Sequence, residues 1–148
     1  MYNAADFTLH GHVALITGAG AGIGQAIAET FAAAGAAVLV TDLKLEHAQR
    51  VATQIQQRGG QALAAACDVT QEADLQRIVD LAVQQFGQLS LVVSNAGGGG
   101  PKPFEMPMSD FKRAYDLNVF SLFRLAQLVA PHLAQAKDSA ILAISSMA

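Results

Sequence analysis

Two rhythms alternate along the chain. Short apolar runs at 12–16, 38–42, 89–93 and 140–144, with another closing at Asp68-Val69, read as strands. Their nearly unbroken hydrophobicity suits strands covered on both faces, as in a parallel sheet. Between them, apolar residues recur at helical spacing. A first helix begins near Ile23, carries Ile27 and Phe31, and ends at Gly35. Leu45, Ala48, Val51, Ala52 and Ile55 mark a second, stopped by Gly59-Gly60. A third runs from a Thr70 cap through Leu75, Ile78, Val79, Ala82 and Phe86 to Gly87, with Glu72 and Asp74 in its first turn. A loop of glycines and prolines then leads to a long helix capped near Ser109, whose stripe is Phe111, Tyr115, Leu122, Leu125 and Val129.

This alternation, with right-handed crossovers, predicts an α/β fold: a doubly wound parallel sheet in the order 3-2-1-4-5. Ligands of such sheets bind at the carboxyl ends of the strands. Gly18, Asp42, Asp68, Asn95 and Ser146 all fall there. The turn after the first strand reads Thr17-Gly18-Ala19-Gly20-Ala21-Gly22-Ile23-Gly24 and opens a helix. Glycines at such a turn let backbone amides approach a diphosphate, and the helix N-terminus adds the positive end of its dipole. Asp42, closing the next strand, can accept hydrogen bonds from an adenosine ribose. Together these features point to a dinucleotide. The carboxylate should favour NAD over NADP, whose 2′-phosphate it would repel, and Lys44 is the only cation counted nearby.

Composition narrows the class. The chain has 148 residues, 52% hydrophobic and 14% charged, which fits one domain with a real core. A net charge of −3 without a basic cluster argues against nucleic acid. No apolar run reaches membrane-spanning length, and Met1 to Asp6 lack the positive start of a signal peptide. Cys67 is the single cysteine, which suits a reducing, cytoplasmic compartment, and reads as core filler. His10, His12, His47 and His132 show no metal-ligand spacing. Asn118 lies on the apolar stripe of the long helix, so its amide should be buried and tied into a hydrogen-bond network.

Thr17, Gly18, Gly22 and Gly24 spell Thr-Gly-x-x-x-Gly-x-Gly, which resembles the short-chain dehydrogenase/reductase family. Asp68-Val69, Asn95-Ala96-Gly97, Asn118 and Ser145-Ser146 follow in that family's order, so the resemblance covers essentially the whole chain. It departs at Ser94, where the family usually has asparagine. The resemblance implies a Rossmann-like three-layer α/β/α domain over 1–148 that binds NAD. Gly18, Gly22, Ile23, Gly24, Asp42, Leu43, Asp68, Val69 and Asn95 would hold the cofactor. Ser146 and Asn118 would be catalytic, Ser146 rather than Ser145 facing the pocket, and Gly99 with Ser146 would meet substrate. The run at 95–104, with Met106-Pro107-Met108, Arg113-Ala114-Tyr115 and Leu117-Asn118-Val119-Phe120, is similar to the family's bacterial hydroxysteroid dehydrogenases. That implies a bile acid, oxidised at its 7α-hydroxyl. Gly97 to Gly100, held by Pro101 and Pro103, would leave room for such a broad ligand.

One family element is not found. The proton-donating tyrosine should be followed four residues later by lysine, yet Tyr2 is followed by Asp6 and Tyr115 by Val119. The fifth strand also lacks the covering strands and helices such a sheet needs, which predicts an exposed apolar edge. The expectation is therefore a C-terminally truncated oxidoreductase domain, inactive alone, from an enzyme that is a homo-oligomer when full length. The alternatives are a short-chain reductase for acyl-carrier ketones or sugar alcohols, or a non-catalytic NAD-binding module.

Overall fold

A computed structural model describes residues 7–99 and 103–146. Its sheet holds β1 (Val13–Ile16), β2 (Ala37–Asp42), β3 (Gln61–Ala66), β4 (Leu91–Ser94) and β5 (Ala140–Ala143). They lie in the order β3-β2-β1-β4-β5, every pair parallel, as the alternation predicts. Leu15 stands opposite Leu39 on one side and Val92 on the other, so the central strands share one register of apolar rows.

Successive strand residues point to opposite faces, and the core divides accordingly. Ala14, Ile16, Val38, Val40, Leu91 and Val93 pack under α1 (Gly22–Ala33) and α2 (Leu45–Gln57), meeting Ala28, Ala48, Val51 and Ile55. Val13, Leu15, Leu39 and Val92 face α3 (Glu72–Phe86) and the helix that follows β4, meeting Leu75, Ile78, Val79, Leu125 and Val129. The small residues of α1 let it lie close on the sheet.

The helix after β4 is not one regular rod capped at Ser109. It begins as α4 (Met108–Tyr115) behind Pro107, with no side-chain cap, and passes through a π-helical turn at Asp116–Phe120 into α5 (Ser121–Leu133). Neither α4 nor that turn has a buried residue, and the helix is covered only from Ser121 onward. Leu125 and Val129 are buried as expected, whereas Phe111 and Tyr115 are 45% and 43% exposed. The third helix also starts later than Thr70, with Gln71 at its N-cap. β5 is exposed along its whole length, the edge anticipated from sequence. Among the described residues, no helix is long and apolar enough to cross a membrane.

Candidate functional site

A cavity of about 310 Å3 opens at the carboxyl ends of the strands. Gly18, Asp42, Leu43, Asp68, Val69 and Asn95 line it, brought together from β1, β2, β3 and β4. Cys67, Ala96, Gly97 and Leu117 complete the lining. Gly22, Ile23 and Gly24 sit next to it, at the start of α1, with Ile23 exposed.

The glycine turn is fastened to two neighbouring strands, β4 and β2. Thr17 N–H donates to Val93 O at 3.0 Å and Ala19 N–H to Thr41 O at 2.8 Å. Thr17 Oγ1 accepts from the N–H groups of Asn95 and Ala96, both at 3.1 Å. The Asn95 amide then donates to Thr17 O at 3.1 Å and Gly18 O at 2.9 Å. Asn95 is therefore first a clasp on the turn. Within the turn Gly24 makes the closest approach: a Cβ there would stand 2.4 Å from Gly18 O and 2.5 Å from Asn95 Nδ2. Gly18, at φ +61°, would place its own Cβ 2.8 Å from Ala96 Cα.

Asp42 is aimed by its neighbours. Its Oδ2 accepts from Gly20 N–H at 3.0 Å and its Oδ1 from Lys44 N–H at 3.1 Å, with His47 Nδ1 3.8 Å away. Lys44 is not the only cation here: Arg50 Nη2 donates to Gly20 O at 2.7 Å. Sequence spacing concealed Arg50 and His47, because they reach the turn only once α2 packs against it.

Asp68 Oδ1 accepts from both the N–H and the hydroxyl of Thr70, at 3.0 and 2.7 Å. Thr70 thus shapes the turn before α3 instead of capping the helix. Asp74 reaches back to Asp68 N–H at 2.8 Å and pairs with Arg77. The Asp68 N–H and then the Arg77 guanidinium hold the Asp74 carboxyl below the usual aspartate range. Burial pushes the Cys67 thiol up to about 12, and the Asp74 charge adds to the rise. The thiol lines the cavity as a neutral, unreactive group.

Asn118 departs from its expected burial. It is exposed, in the π-helical turn. Its Nδ2 donates to Ala114 O at 2.8 Å and Gly98 O at 2.9 Å, while its Oδ1 accepts from Gly98 N–H at 3.0 Å. The turn shifts backbone pairing by one residue, so Ser121 N–H reaches Asp116 O and the Ser121 hydroxyl takes Leu117 O at 2.6 Å. Asn118 thereby ties the glycine loop after β4 to the helix. Gly99 follows at φ +120°, where an added Cβ would meet no atom of the described residues within 4 Å, and Ser145 and Ser146 are exposed beyond β5. Gly100 and Pro101, part of the expected pocket mouth, lie outside the described residues, as does Tyr2.

A glycine turn fastened beneath a cleft and an aimed acid on the next strand define a dinucleotide-type α/β domain. Residues 12–148 match the short chain dehydrogenase family model, and the chain belongs to that family. It is 54% identical over 148 residues to the 7α-hydroxysteroid dehydrogenase of Escherichia coli K12, covering all of this chain and 58% of that enzyme. It is 44% identical over 140 residues to a 4-formylbenzenesulfonate dehydrogenase of Comamonas testosteroni, covering 93% of this chain and 56% of that protein. A solved 7α-hydroxysteroid dehydrogenase in complex with NADH and 7-oxo glycochenodeoxycholic acid superimposes with a TM-score of 0.94 at 54% identity, over 99% of this chain and 58% of that one. The chain thus spans a little over half the length of these relatives.

Proposed function

We propose that the chain is the dinucleotide-binding part of an NAD-dependent dehydrogenase that interconverts a secondary alcohol and its ketone, with the 7α-hydroxyl of a bile acid as substrate. The substrate part of this reading is supported by the 54% identity to the Escherichia coli 7α-hydroxysteroid dehydrogenase; the observation that carries the dinucleotide part is the Asp42 carboxylate. Both of its oxygens are fixed by backbone N–H groups at the mouth of a cleft built on the glycine turn. A carboxylate offers roughly four acceptor sites, so two remain for the paired hydroxyls of a ribose.

The residues present fit the cofactor. A Cβ at Gly24 would collide with the turn, so the start of α1 lies against Gly18 and its first N–H groups, unpaired within the helix, are available to a diphosphate. Asp68 and Val69 would border the adenine, with Leu43 beside them. When bound, the nicotinamide supplies or accepts the hydride. Ser146 would donate a hydrogen bond to the reacting oxygen, at the end of β5. Asn118 holds the Gly98 backbone from the helix side and so sets the wall of the substrate mouth, with Gly99 leaving space for a broad ring system. The proton-exchanging tyrosine and lysine belong, in this proposal, to the remaining length of the enzyme. The exposed aromatic face of Phe111, Tyr115 and Phe120 would pack on a second copy in a cytoplasmic homo-oligomer.

The test is NAD reduction by the full-length enzyme with cholate, chenodeoxycholate and a 7β epimer. The 7α acids should turn over, and Ser146→Ala should abolish turnover while NADH still binds. The 148 residues alone should show no turnover, because general acid–base catalysis contributes about 10²–10⁴-fold. Turnover of sugar alcohols or acyl-carrier substrates with inert bile acids would remove the steroid assignment.

A further inference from the structure

Gly20 is held from both sides. Its N–H donates to Asp42 Oδ2 at 3.0 Å, and its carbonyl accepts from Arg50 Nη2 at 2.7 Å. A Cβ on Gly20 would fall 2.6 Å from both Asp42 Oδ2 and His47 Cβ, so the tip of the turn is pressed against α2. Arg50 itself is braced, with Gln25 Oε1 of α1 3.5 Å from the same nitrogen. The chain of contacts therefore runs from α2 through Gly20 to the carboxylate.

We infer that Arg50 is a positioning residue for the dinucleotide: by holding the Gly20 carbonyl, it keeps the Gly20 N–H on Asp42 and the carboxylate aimed into the cleft. This rests on the dinucleotide reading of that cleft. Without Arg50 the turn tip loses a charge-assisted hydrogen bond, and the Asp42 side chain regains rotamers that do not meet a ribose. The consequence is specific to the adenosine end. It also has a sign opposite to a plain charge effect. A guanidinium acting only as a nearby cation would assist a 2′-phosphate, so its removal would weaken NADPH more than NADH. A guanidinium acting through Asp42 assists the free ribose, so its removal weakens NADH and narrows the preference over NADPH.

The experiment is calorimetric titration of the full-length enzyme with NADH, NADPH and reduced nicotinamide mononucleotide, which lacks the adenosine end. Arg50→Ala should weaken NADH by about 5–30-fold, the scale of one well-made hydrogen bond. The mononucleotide should stay within about twofold of wild type, and Arg50→Lys should recover part of the loss. In an Asp42→Ala background, adding Arg50→Ala should leave NADH affinity where it is, since coupled residues are not additive. Unchanged NADH affinity, a larger loss for NADPH, a parallel loss for the mononucleotide, or an additive double variant would each overturn the role of Arg50. A wild type that binds neither dinucleotide overturns the reading of the cleft itself.

Discussion

The two glycine-rich segments of this chain are built to opposite standards. The turn from Thr17 to Gly24 is fastened to β2 and β4, clasped by Asn95 and clamped to α2 by Arg50. The loop after β4 is held at Gly98 by the Asn118 amide, and a Cβ on Gly99 would touch none of the described residues. The elements beneath them differ likewise: β1 is fully buried, whereas β5 is exposed throughout. Apolar side chains stand in solvent on both sides, Ile23 and Leu43 by the proposed dinucleotide cleft and Ile141 and Leu142 on β5, so what separates the two halves is how firmly their backbone is fastened. A phosphate site needs amides fixed before the ligand arrives, whereas a substrate mouth can be completed by other segments.

The largest test of this contrast is a pair of alanines. Gly24→Ala forces a Cβ into backbone and the Asn95 amide, so it should cost about 3 kcal/mol, the upper end of overpacking, and abolish NADH binding. Among the described residues Gly98→Ala meets only Leu117 Cδ2, at an ordinary 3.7 Å, and should stay within about 0.5 kcal/mol. Urea unfolding and NADH titration of both variants measure this, and equal costs would end the contrast.

A second pair compares the two asparagines. Asn95→Ala removes a half-buried amide from Thr17 O and Gly18 O, and should cost about 1–3 kcal/mol. Asn118→Ala removes three hydrogen bonds in an exposed setting where water can replace them, and should cost under about 1 kcal/mol. The reverse order in urea midpoints would mean that the loop after β4 is the more rigid of the two.

The smallest effect concerns the β3–α3 turn, on the margin of the dinucleotide side. The Asp74 carboxyl is held below its ordinary range, so it contributes stability above about pH 4. That contribution is lost as pH falls through its lowered folded value. Asp74→Asn should be less stable than wild type at pH 7 by under about 1 kcal/mol, given its exposure, and the gap should close in acid. A gap that persists unchanged at pH 2 would assign the effect to packing. Thermal melts across that range read it directly.

The sheet order, both core faces and the placement of Gly18, Asp42, Asp68 and Asn95 around one cleft were legible in the sequence. They follow from local rules: strand and helix periods, right-handed crossovers, and binding at the carboxyl ends of parallel strands. Asn118 lies on the apolar stripe yet is exposed, because the helical period marks which face is apolar and not how far along the helix other elements cover it; α4 and the π-helical turn have no buried residue. Thr70 reads as a cap in the sequence because the Asx turn of Asp68 and a helix N-cap draw on the same residue types. The roles of Asn95 as clasp and of Arg50 and His47 as neighbours of Asp42 were decided only by tertiary packing. They join residues 30 to 78 positions apart along the chain, or sit on a helix whose rotation about its axis is fixed by the core it buries. Periodicity determines which face of a helix is buried; only the packed sheet determines what its polar face can reach.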